Sequence, residues 1–94
     1  MADQFVLVTY DISDDRRRTR LHDRLLAFGV PVQYSVFECR VDEAELERLR
    51  AMVRKTIRPR LDRVRFYRLC EACRGKTEAT SGPEPFRDDD VTIV

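Results

Sequence analysis

At 94 residues the chain has room for one small domain around one hydrophobic core. Charged residues make up 37% of it, yet 18 Lys+Arg against 17 Asp+Glu leave a formal net charge of +1. Net charge therefore announces no nucleic-acid partner, and any basic surface has to come from clustering.

The basic residues are nearly all arginine and fall in groups, Arg16 to Arg20, Arg48 to Arg60 and Arg63 to Arg68, with acidic runs at Asp42 to Glu47 and Asp88 to Asp90. Arginine's planar fork suits phosphate better than lysine's point charge, although a GC-rich genome or a thermophile would also favour arginine. No apolar run approaches the length of a membrane span, and the first residues lack the pattern of a secretion signal. Three cysteines without framework spacing fit a reducing cytoplasm.

The run Phe5 to Asp11 is rich in β-branched and aromatic residues and predicts a strand. Phe5, Leu7 and Thr9 would face one side and Val6, Val8 and Tyr10 the other, so both faces need cover. Asp11 emerges at its end, where it would either hold a hard metal ion or merely cap the next turn.

Ser13, Asp14 and Asp15 then offer helix N-caps, and Leu21, Leu25 and Phe28, with Leu26 widening the stripe, predict a helix over roughly Asp15 to Phe28 that Gly29 and Pro31 end. Arg16, Arg17, Arg18 and Arg20 occupy its first turns, and His22 reads as a flank residue rather than a metal ligand.

Val32 to Val41 predicts a second β-rich segment, broken near Gln33 and Ser35 into a short and a longer strand. Phe37, Cys39 and Val41 share one of its faces. Asp42 and Glu45 have capping-box spacing before a second helix with a Leu46, Leu49, Val53 and Ile57 stripe, ended near Pro59. Val64 to Leu69 predicts the last strand of the domain.

Strand, helix, strand pair, helix, strand is the split βαβ pattern, so the fold class is α+β, a ferredoxin-like βαββαβ sandwich. Its helices cover one sheet face, and the apolar first strand then calls for a partner on the other, most simply a second copy. Cys70 and Cys73 form a C-x-x-C, which is half a zinc site, a redox pair, or incidental. Residues 1–73 make the domain. Residues 74–94 make a Gly- and Pro-bearing loop and a terminal strand, Val91 to Val94, expected to add to a sheet edge of the other protomer.

Val8-Thr9-Tyr10-Asp11-Ile12, the arginine-rich first helix, Gln33 to Glu38, Arg65 to Leu69 and the Ile93-Val94 ending together resemble the CRISPR-associated protein 2 family across nearly the whole chain. The resemblance implies a homodimer packed through its sheets, with Asp11 and its twin near the two-fold axis and magnesium (Mg2+) between them. It implies magnesium-dependent endonuclease activity on single-stranded RNA or duplex DNA, or a non-catalytic scaffold that holds spacer-precursor DNA beside the CRISPR integrase dimer. It assigns catalysis to Tyr10 and Asp11, metal binding to Asp11, and nucleic-acid binding to Arg18, Arg20, Ser35 and Phe37, to which the clustering of arginines on the first helix adds Arg16 and Arg17 as phosphate contacts. A ligand-binding regulator of the same fold is the reading outside CRISPR.

Overall fold

A computed structural model describes residues 3–81 and 85. Its elements run β1 (Gln4–Asp11), α1 (Asp15–Leu25), β2 (Gly29–Gln33), β3 (Val36–Val41), α2 (Glu43–Thr56), β4 (Arg63–Leu69) and α3 (Glu71–Gly75). The strands form one antiparallel sheet in the order β2-β3-β1-β4, with β1 bonded to both β3 and β4. That is the expected α+β architecture. Among the described residues no helix is long and apolar enough to cross a membrane.

Side-chain alternation decides which face of the sheet is covered. Val6, Val8 and Tyr10 of β1 and Phe37, Cys39 and Val41 of β3 point under the helices and are buried, where Leu21 and Leu25 of α1 and Leu46, Leu49 and Val53 of α2 meet them. Burying each such aliphatic side chain contributes about 1.5–3 kcal/mol, so this single layer is the main driving force for the fold.

The caps match the local sequence signals. The Asp14 side chain accepts the Arg17 backbone N–H at 2.9 Å at the start of α1. At α2 the capping box is complete, with the Glu45 N–H to Asp42 Oδ1 at 2.8 Å and the Asp42 N–H to Glu45 Oε1 at 2.9 Å.

Three expectations need correction. The first helix stops at Leu25 rather than Phe28, and Leu26, expected to widen its buried stripe, is 51% exposed. The cause lies at Gly29, which is already a strand residue. A Cβ there would stand 2.2 Å from the Glu38 carbonyl oxygen and 2.6 Å from Cys39 Sγ, so β2 reaches β3 only because that side chain is missing. Second, the residues after β4 begin a short helix, α3, which straddles the division drawn at residue 73 and packs against β1. Third, Phe5, on the sheet face away from α1 and α2, is buried within this one chain, so that face is not wholly left for a partner to cover. The expected terminal strand Val91 to Val94 lies outside the described residues.

Candidate functional site

Asp11 ends the central strand β1 opposite Arg63 of β4, and it is exposed. Paired residues in an antiparallel ladder share a face, so the helix-free face carries Leu7, Thr9 and Asp11 of β1. Beside them lie Arg63, Arg65 and Tyr67 of β4 and Val36, Glu38 and Arg40 of β3. Arg65 donates to the Tyr67 hydroxyl at 3.1 Å, lining the guanidinium up along the strand. A carboxylate flanked by arginines on a sheet is an arrangement that takes a phosphate backbone and its counter-cation.

The chain after Asp11 is pinned. Ile12 is buried, and Arg18 Nη1 donates to the Ile12 carbonyl at 2.9 Å and lies 3.5 Å from that of Ser13. Arg18 also pairs with Asp15. The N-cap of α1 is Asp14, whose carboxyl the Arg17 N–H holds below its ordinary value. Asp14 rather than Asp11 is therefore the cap of the following helix.

The four α1 arginines separate into two kinds. Arg17 is bound bidentately to the buried Asp62, and Arg18 is tied to the Ile12–Ser13 backbone. Arg16 and Arg20, four residues apart on one helix face, are exposed and border a shallow depression with Asp15, Thr19, Asp23 and Arg24. Only the second kind is presented for a phosphate.

Tyr10 and Asp11 are not brought together. Successive strand residues face opposite ways, and Tyr10 turns under the helices, where its ring lies 6.4 Å from that of Phe37. It borders a cleft of about 340 Å3 with Arg18, Thr19, His22, Gln33, Tyr34 and Ser35. Burial, followed by the nearby Tyr34, pushes its phenol above the ordinary value, so it is a poor proton donor at neutral pH.

Ser35 occupies the β2–β3 turn with φ of 62°, a left-handed conformation, and its carbonyl accepts the Tyr10 N–H at 3.1 Å. Phe37 needs correcting as a nucleic-acid contact. It is completely buried, with the His22 ring packed edge-on at 5.1 Å, so no nucleic acid can reach it. It sits on the core face of β3 because its alternation partners Cys39 and Val41 do.

Arg63, Arg65 and Tyr67 are the residues that sequence reading passed over as site candidates. The signal was present in the alternation of Arg63, Arg65 and Tyr67 with Val64 and Phe66, but the pairing of β4 with β1 is what sets them beside Asp11.

Residues 4–77 match the family model described as CRISPR associated protein Cas2. The CRISPR-associated endoribonuclease Cas2 1 of Chloroflexus aurantiacus is 38% identical over 92 residues, covering 96% of this chain and 99% of that one. The CRISPR-associated endonuclease Cas2 2 of Thermus thermophilus is 43% identical over 67 residues, 71% of this chain and 74% of that one. The crystal structure of Streptococcus pyogenes Cas2 superposes with a TM-score of 0.73 at 30% identity, covering 82% of this chain and 99% of that one. With its split βαβ sheet and a family model matched over most of its length, the chain belongs to the Cas2 family of CRISPR-associated proteins.

Proposed function

We propose that the protein is a cytoplasmic CRISPR-adaptation (spacer-acquisition) protein that binds nucleic acid as a homodimer and cleaves it in a magnesium-dependent reaction at Asp11. The observation that carries this reading is the presentation of Asp11 beside Arg63 and Arg65 on the helix-free sheet face. Relatives named endoribonuclease and endonuclease support it.

A hard cation suits the donor. Asp11 offers carboxylate oxygens, and magnesium needs only one or two carboxylates when phosphate oxygens and water complete its shell. Among the described residues no three metal-binding side chains gather, and a second copy would add its own Asp11 to the carboxylate of the first. When bound, the cation would make a water more acidic and offset phosphate charge. Arg63 and Arg65 would orient the phosphodiester on the sheet, with Arg16 and Arg20 meeting the backbone further out.

One observation favours a scaffold beside the integrase dimer as the second reading. Tyr10, the nearest titratable neighbour of Asp11 in sequence, faces the other side of the sheet, so no proton-transfer partner on β1 accompanies the carboxylate.

The test is Asp11→Asn, assayed against single-stranded RNA and duplex DNA with and without magnesium. Cleavage should vanish while the fold and duplex binding remain, because Asp11 is exposed and the duplex is held by arginines. Equal cleavage by both proteins would remove Asp11 from the chemistry. No cleavage by either, with spacer-length duplex still bound, would select the scaffold.

A further inference from the structure

Cys70 and Cys73 take no part in the reading of the sheet face. Cys70 follows β4 directly and Cys73 lies one turn later within α3; both are exposed and reduced. The Cys73 backbone N–H donates to Cys70 Sγ at 3.3 Å, the position a serine or aspartate oxygen takes in an ordinary helix cap. The neighbouring Cys73 side chain, then the Cys73 N–H, holds the Cys70 thiol below its ordinary value, while Cys70 in turn raises Cys73. The third cysteine, Cys39, is sealed in the core.

We propose that Cys70 and Cys73 form a thiol–disulfide exchange site for low-molecular-weight disulfides, with Cys70 attacking and Cys73 resolving. The Cys70 thiolate attacks one sulfur of the disulfide RSSR, forming a mixed disulfide and expelling RS−, which takes up the proton that Cys70 has released. Cys73 then gives its proton to solvent and attacks Cys70 Sγ. The Cys70–Cys73 bond forms, the bond to R breaks, and the second RS− leaves as RSH. Two protein thiols are oxidised and one small disulfide is reduced to two thiols.

The geometry supplies what each role needs. Only Cys70 has a backbone N–H aimed at its sulfur among the described hydrogen bonds, which stabilises a thiolate there. The C-x-x-C spacing keeps the resolving sulfur one turn away. Oxidation also turns the capping Cys70 sulfur into a disulfide sulfur, so the turn of α3 that rests on β1 would change its hold with redox state.

The experiment exposes the full chain to mixtures of reduced and oxidised glutathione, quenches with acid and reads mass. Wild type should pass to a form lighter by two hydrogen atoms. Cys73→Ser should stop with one glutathione at Cys70, and Cys70→Ser should react severalfold more slowly, because among the described hydrogen bonds no backbone N–H is aimed at the Cys73 sulfur. Limited alkylation of wild type, mapped by peptide, should label Cys70 before Cys73 and requires no variant. Two separate adducts on wild type, no oxidation at any glutathione ratio, equal rates for the two variants, or Cys73 labelled first would each overturn the proposal.

Discussion

Arg17 and Asp62 clasp each other across 45 residues of sequence, Nε to Oδ2 at 2.8 Å and Nη2 to Oδ1 at 3.0 Å. Asp62 is buried and also accepts the Arg58 backbone N–H at 2.8 Å, so the contact fastens the start of α1 to the turn that leads into β4. Arg24, donating to Thr56 at 2.7 Å, is a second α1 arginine spent on holding the layers together.

The Arg17 hydrogen bond, with the Arg58 N–H behind it, holds the Asp62 carboxyl below its ordinary value. A carboxyl lowered in the fold stabilises it above the unfolded value, about 3.9, and that contribution disappears as pH falls through the lower folded value. Asp62→Asn should therefore lower the melting temperature by roughly 5–15 °C near neutral pH. The gap to wild type should narrow in acid. Thermal melts across that range check it, and a pH-independent gap would contradict the assignment.

Phe37 and the outer arginines should fail in opposite ways. Phe37→Ala opens a cavity in the core and should cost about 3–5 kcal/mol in stability. Arg16→Ala with Arg20→Ala should leave the denaturation midpoint unchanged but weaken duplex binding. The double variant should also shrink the slope of log affinity against log salt, by about 0.9 per lost phosphate contact. Urea titration and binding at several salt concentrations separate the two.

The helix-free face, with Leu7 and Val36 half-buried and Tyr67 43% exposed, should be completed by a second copy. Light scattering should give about twice the 11.1 kDa chain mass at micromolar concentration. A monomer mass would remove the paired Asp11 site with it.

Burial pushes the Cys39 thiol up to about 12, with Glu38 adding to the effect. A thiol-specific reagent at mildly alkaline pH should therefore modify the exposed Cys70 and Cys73 in the native protein and reach Cys39 only in denaturant. Raised folded and ordinary unfolded values also mean that stability contributed by neutral Cys39 persists below the unfolded value, about 8.5, and declines as pH rises toward 12. Counting released chromophore under native and denaturing conditions gives the answer directly.

What the sequence made legible follows from range. The Asp42–Glu45 box and the Leu46, Leu49, Val53 stripe are local patterns and form as read, while Ile57, expected to continue the stripe, is the half-buried C-cap of α2. Arg17 looked like its neighbours because its partner Asp62 lies far along the chain, and no spacing rule connects them. Alternation sets Phe37 on one face with Cys39 and Val41 without saying which face is inner, and the family motif suggests contact with nucleic acid; pairing of the sheet makes that shared face the buried one. Gly29 read as a helix stop because the close approach of Glu38 becomes visible only once β2 and β3 are paired.

Asp11 is bracketed by two backbone restraints, the Tyr10 N–H bonded to Ser35 on one side and Arg18 holding the Ile12 carbonyl on the other. Fixing one residue of free backbone costs about 1–2 kcal/mol in conformational entropy. Here that ordering is complete when the chain folds. A cation or phosphate arriving at Asp11 would meet a carboxylate whose main chain is already set, so affinity would be limited by charge and hydration rather than by loop ordering.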